Sequence, residues 1–239
     1  MNTTPGEFAR ALAARRKRQR RVRLLTLGAV AFVLLLAGVI TWLFGFSSVF
    51  AARQVRVSGV SLLTEEQVIQ AAAVEVGRPL AMLDLSGARE RVSALAPVAE
   101  VTVERRFPDT VEIIVKERTL SYLWNDAGKV NWVDTEGVVF NEGGEPPAGV
   151  VMAQIDAPDQ RLLRDISTVV RVIVPTLGER ITSIRASAVD QIEIRLDDGD
   201  TVVWGSADDS DLKAQVLAVL LSQEASVYDV SAPEAPTTR

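Results

Sequence analysis

Residues 98–118 read VAEVTVERRFPDTVEIIVKER, two alternating stretches on either side of a turn. Val101 and Val103 alternate with Thr102 and Glu104, and Val111, Ile113 and Val115 alternate again. A period of two sends successive side chains to opposite faces of a strand, so two half-buried strands are predicted here. Phe107-Pro108-Asp109 between them is read as the turn of a hairpin. Upstream, Val55 and Val57 alternate with Gln54 and Arg56, and Gly59 closes a third strand. Thr64-Glu65-Glu66-Gln67 has the form of a capping box, with Leu63 and Val68 able to close a hydrophobic staple over it. Val68, Ile69, Ala72, Ala73 and Val76 mark one face of the helix that follows, and Gly77 is placed to end it. A second helix is predicted from Leu85 to Ala96, capped by Asp84 and stopped by Pro97, with Leu85, Ala88, Val92 and Leu95 as its apolar stripe. Residues 54–117 therefore read β-α-α-β-β, and a three-stranded sheet with two helices on one face can bury one small core.

Beyond Glu117 strands dominate. They are predicted at Ser121–Trp124, Lys129–Val133, Val138–Phe140 and Val150–Ile155, separated by Asn-Asp-Ala-Gly and Gly-Gly-Glu-Pro-Pro turns. A helix follows at Asp159–Leu177, then strands at Ile181–Ala186, Gln191–Leu196 and Thr201–Trp204, then a helix at Ser210–Gln223. Val227–Ser231 is the last short strand, and the Pro-rich residues 232–239 (APEAPTTR) are expected to be disordered.

Leu24 to Phe46 run LLTLGAVAFVLLLAGVITWLFGF without a charge. As a helix this stretch is about 35 Å long at ~1.5 Å per residue, enough for a bilayer core of about 30 Å with modest tilt. Trp42, Phe44 and Phe46 fall toward its outer end, where aromatic rings favour the interface. Of the 26 Lys and Arg and 31 Asp and Glu, residues 1–23 hold eight and one, so the remainder carries a net charge of −12. The cluster RRKRQRRVR at Arg15–Arg23 predicts a cytoplasmic N-terminus, contact with anionic lipid headgroups, and residues after 47 on the outer side. A cleaved signal peptide is the competing reading, with small residues around Ala51, but the apolar run exceeds the usual 7–15 residues of a signal core. The acidic remainder argues against nucleic acid as a partner. The chain has no Cys and no His, which removes disulfides, thiolate nucleophiles, the usual zinc sites and the commonest general base.

The basic tail, the single span, V-x-V-x-G, the capped helix, GRPLAMLDL and VAEVTVERRFPDTVEIIVKER together resemble the FtsQ/DivIB family of bacterial division proteins. The resemblance implies an α+β chain. It divides into a cytoplasmic tail (1–23), a transmembrane helix (24–46), a POTRA domain (47–118), a mainly antiparallel β domain with two helices (119–231) and the tail 232–239. VNWVDTEGVVF resembles the start of that β domain, while Leu120 stands where the family commonly has proline. The implied protein is a single-pass plasma-membrane scaffold, concentrated at the septum, that links division and septal wall-synthesis proteins without cofactor, catalysis or small-molecule substrate. The implied partners are bitopic coiled-coil proteins of the FtsB/DivIC and FtsL types. A membrane-anchored POTRA chaperone for secreted or translocating polypeptides is the alternative.

Three groups of residues invite a chemical reading. Glu104, Arg105, Arg106, Asp109, Glu112, Lys116, Glu117 and Arg118 are read as a solvated strand face with cross-strand charge pairs. Asp197-Asp198-Gly199-Asp200 is read as a hairpin turn, since it lacks the ligand spacing of a calcium loop. Asp208, Asp209 and Asp211 are read as capping carboxylates. The lysines beyond the span, Lys116, Lys129 and Lys213, sit in no Ser-Lys motif. What remains is binding by an open sheet edge, and the site is placed on Val227, Tyr228, Asp229, Val230 and Ser231. In the resembling family this end of the β domain is where a coiled-coil partner adds a strand. The competing reading makes Tyr228 a core-capping residue.

Overall fold

The structure, a computed structural model, describes residues 23–39, 41–42 and 48–239. The basic tail before Arg23, position 40, and residues 43–47 with Phe44 and Phe46 lie outside the described residues. Helix α1 comprises the helical residues 23–39 and 41–42. Five consecutive residues, Phe32 to Leu36 with Val33, Leu34 and Leu35, are all exposed, which is more than one full turn. The described part of α1 is thus apolar all round and packs against nothing described. Among the described residues no helix is long and apolar enough to cross a membrane; the span expected over 24–46 falls partly outside them.

The first module contains β1 (Gln54–Ser58), α2 (Glu65–Ala72), α3 (Leu85–Ser93), β2 (Val98–Arg106) and β3 (Thr110–Glu117). The sheet order is β1-β3-β2, with β1 parallel and β2 antiparallel to β3. Central β3 buries Val111, Ile113 and Val115, and they pack on Val68 and Ala72 of α2 and Ala88 and Val92 of α3. The capping box forms in full: Gln67 N–H donates to Thr64 Oγ1, and the Gln67 side chain accepts from Thr64 N–H. Gly59 has φ +82°, and a Cβ there would lie 2.0 Å from Val115 O, so only glycine lets β1 turn away this close to β3.

Both helices end earlier than their apolar stripes suggest. Ala73 takes φ 46° and closes α2, which turns Val74 back onto the core and leaves Val76 exposed. α3 stops at Ser93, where the bonds from Leu95 N–H to Val92 O and from Val98 N–H to Leu95 O turn the chain into β2.

The charged strand face is only partly a solvated one. Lys116 pairs with Glu100, and Arg106 bridges Glu104 and Glu112, which would otherwise repel across the strands. Arg105 instead donates to the carbonyls of Leu80 and Leu83, and so holds the loop between α2 and α3. Glu117 accepts from Ser61 Oγ at 2.9 Å, Leu62 N–H at 2.9 Å and Leu63 N–H at 2.8 Å. Partial burial pushes its carboxyl up, but the N–H groups of Leu63, Leu62 and Ser61 outweigh this and hold it below its ordinary value. The folded state therefore binds this proton more weakly than the unfolded chain does. Its stabilisation is present above the ordinary carboxyl range and is lost as pH falls through the lowered value. Glu117→Gln is expected to lower the urea midpoint at pH 7, and the gap from wild type is expected to close in acid. A gap independent of pH would refute the role of the charge.

The second module is one sheet of nine strands. These are β4 (Leu120–Asp126), β5 (Lys129–Asp134), β6 (Val139–Glu142), β7 (Met152–Ile155), β8 (Ile181–Ala188), β9 (Gln191–Leu196), β10 (Thr201–Gly205), β11 (Val227–Asp229) and β12 (Thr237–Thr238). Helices α4 (Gln160–Leu177) and α5 (Ser210–Leu220) cover one face. The order is β12-β11-β10-β9-β8-β7-β4-β5-β6. Pairs β4–β7, β7–β8 and β10–β11 are parallel, so the sheet is more mixed than expected. For two of these pairs the reason lies in the helices, since α4 connects β7 to β8 and α5 connects β10 to β11 and such crossovers return the chain in the same direction; β7 reaches the other side of β4 after the antiparallel strands β5 and β6. Asp159 caps α4 by accepting from Leu162 N–H at 2.7 Å. Asp198 accepts from Asp200 N–H in the β9–β10 turn and pairs with Arg180, the hairpin arrangement read from the sequence. Among the described residues no acidic cluster could hold a metal ion.

Two expectations are corrected here. Asp209 stands at the N-cap of α5 but makes no capping hydrogen bond, because its left-handed backbone (φ 52°) departs from the extended conformation from which a capping side chain reaches the first N–H groups, while Asp211 does lie in the first turn. Residues 232–239 are not an unstructured tail: Thr237 and Thr238 form β12. Ser226 and Val227 N–H donate to Arg239 O, and Arg239 N–H donates to Val227 O. Backbone pairing secures a segment whose composition alone predicts none.

Candidate partner-binding surface

The five residues assigned from the sequence divide between strand and core. Val227, Tyr228 and Asp229 form β11, while Val230 and Ser231 lie just beyond it. Tyr228 is buried with Trp204 and Leu217, and its hydroxyl donates to Gln223 O at 2.9 Å. The core-capping reading of Tyr228 therefore describes its side chain. Val230 is fully buried, and its N–H donates inward to Val203 O at 3.0 Å. Asp229 Oδ1 accepts from both the N–H and the hydroxyl of Ser231, which closes the strand with a tight turn.

β11 itself is not an edge, contrary to the premise that put the site there. It lies between β10, parallel, and β12, antiparallel. The edges of the large sheet are β12 at one end and β6 at the other. Val227 and Arg239 exchange both backbone bonds, so antiparallel alternation turns the N–H and C=O of Thr238 away from β11. Sequence reasoning missed Thr237 and Thr238. A signal was present in two β-branched residues after Pro236, but the proline-rich composition masked it.

Lys213 anchors the corner beneath this end of the sheet. Its ammonium is buried and donates to Trp204 O at 3.1 Å and Ser206 O at 2.9 Å. Burial pushes its pKa down, opposed by the nearby carboxylates of Asp208 and Asp209. Trp204, also buried, donates its indole N–H to Ser210 Oγ. The end of β10 and the start of α5 are thus locked together, which gives β11 and β12 a rigid base.

The two modules meet at Arg118. Its Nε donates to Ala96 O in the first module, and its Nη1 pairs with Asp134 Oδ2 in the second at 2.5 Å. Asp134 Oδ1 meanwhile accepts from Glu136 and Val138 N–H in the β5–β6 turn, each at 2.8 Å. Leu120 opens β4 two residues later, its Cα opposite Asp134.

Comparison with known proteins agrees with this division. Residues 50–118 match the family model for the FtsQ-type POTRA domain, and residues 122–232 match that for the C-terminal region of cell division protein FtsQ/DivIB. Cell division protein FtsQ of Streptomyces bingchenggensis is 38% identical over 236 residues, covering 94% of this chain and 89% of that protein. The FtsQ proteins of Mycolicibacterium smegmatis and Mycobacteroides abscessus are 34% and 32% identical, over 87% and 81% of this chain. The chain spans 63% of the length of each of these two longer relatives. With both modules matched in order, and a relative more than a third identical over nearly its whole length, the chain belongs to the FtsQ/DivIB family of cell division proteins.

Proposed function

We propose that this chain is a non-catalytic scaffold of the division machinery, anchored in the plasma membrane by α1 and concentrated at the septum. The observation that carries the reading is the pairing, in one chain, of an FtsQ-type POTRA module with an FtsQ/DivIB C-terminal module. The exposed apolar surface of α1 supports the anchor, because a helix apolar all round gains nothing in water. The Arg-rich residues before it support a cytoplasmic N-terminus. On the outer side the scaffold holds bitopic coiled-coil partners of the FtsB/DivIC and FtsL types, and through them septal wall-synthesis proteins. The chemistry available for this is strand addition at the outer edge of β12, where main-chain hydrogen bonds supply affinity. The assigned residues 227–231 then act as the rigid support of that edge.

Depletion in the native bacterium tests the cellular role: filaments without septa are expected, whereas normal septation with a secretion defect would overturn it. Thr238→Pro tests the edge, since proline removes the one N–H that faces away from β11. Partner binding is expected to fall at least tenfold, with the thermal midpoint of the full-length protein nearly unchanged. Full binding by Thr238→Pro would rule out this edge.

A further inference from the structure

The first module enters its fold at one definite end. Ala52 N–H donates to Arg78 O and its carbonyl accepts from Gly77 N–H, while Arg53 and Gln54 N–H both reach Asp109 O. The chain coming from α1 is therefore fixed beside the β2–β3 turn, at the end of the module away from Ser93 and Glu117. Phe50 and Phe107 meet there edge to face, with ring centroids 6.0 Å apart. Phe107 remains 54% exposed and Val49 57% exposed. Eight residue steps separate Trp42 from Phe50, a reach of at most about 28 Å even when fully extended. Phe50 is thus tethered within about 28 Å of Trp42, and the Phe107 ring lies 6.0 Å from that of Phe50. Arg106, which ends β2 beside the turn, is paired with Glu104 and Glu112, and Asp109 Oδ1 accepts from Thr110 Oγ1, so the charges flanking Phe107 are held along the strands and leave its ring as the apolar tip of the turn.

We propose that the Phe107 turn, together with Phe50 and Val49, rests in the outer interfacial layer of the phospholipid bilayer, as a second membrane contact that sets the tilt of the first module. This rests on the membrane reading of α1. Apolar rings beside a membrane anchor settle at the boundary between headgroups and acyl chains, where their burial does not depend on lipid charge. Contact at both the anchor and the turn leaves the module little freedom to swing, so the second module is carried outward at a fixed angle.

The absence of native cysteine makes the test direct. Full-length protein in phosphatidylcholine nanodiscs is labelled with an environment-sensitive fluorophore at Leu34→Cys, Asp109→Cys or Ser93→Cys, and nitroxide lipids serve as quenchers. Severalfold stronger quenching at positions 34 and 109 than at 93 is expected, and Phe107→Ser is expected to abolish it at 109 while unfolding stays cooperative, its thermal midpoint lowered only by the loss of the Phe50 ring contact. Quenching at 34 with none at 109, or quenching at 109 that survives Phe107→Ser, overturns the proposal alone. No quenching at 34 overturns the membrane reading beneath it.

Discussion

Asp134→Ala is expected to destabilise the protein by about 3–5 kcal/mol, the cost of breaking a buried ion pair from one side. Asp134 is 3% exposed and serves both modules at once. Its loss leaves the Arg118 guanidinium partly buried without its carboxylate, and leaves Glu136 and Val138 N–H without an acceptor in the turn. Close by, Gly137 has φ +76°, and a Cβ there would lie 2.4 Å from Arg164 N, so the turn has no room to relax against α4. Asp134→Asn keeps an acceptor for the turn but loses the charge, and should cost less than alanine. Urea unfolding of wild type, Arg118→Ala, Asp134→Ala and the double variant completes the cycle. Additive effects would mean that the two residues do not act as the joint between modules.

Val230→Pro is expected to cost about 3 kcal/mol or more, with loss of native structure at the C-terminal end of the sheet. Proline removes the donor that meets Val203 O, and it places a rigid ring at a fully buried position between β10 and α5. Thermal unfolding and limited proteolysis measure the effect, and any loss of partner binding should follow from unfolding. Set beside Thr238→Pro, the two substitutions separate an inward N–H from an outward one within nine residues of chain. A stable, well-folded Val230→Pro would contradict the described ladder.

For the scaffold role proposed above, the consequence of these effects would be lost geometry. The Arg118–Asp134 pair ties the two modules together, and Lys213 ties the end of β10 to the start of α5 beneath β11 and β12. The strand addition proposed at β12 would need this support, since every residue of freedom lost on binding weakens a complex.

Local pattern determined much of this protein without reference to the fold. The alternation of Val111, Ile113 and Val115, the Thr64–Gln67 capping box, the Asp84 cap and the apolar run of α1 are all legible. Each depends on neighbours within a few residues, where helix and strand geometry impose a period. Tertiary structure alone decided the strand order, the parallel pairs, and the choice of β12 over β11 as the edge. It also turned Glu117 and Arg118 from members of a solvated strand face into structural ties, and gave the buried Lys213 a role that the sequence did not mark. Glu117 reaches Leu63 across 54 positions and Arg118 reaches Asp134 across 16, and no period in the sequence marks such meetings. A buried charge or an unpaired strand acquires its role from what the folded chain brings beside it, because desolvation and hydrogen bonding depend on distance in space and not along the chain.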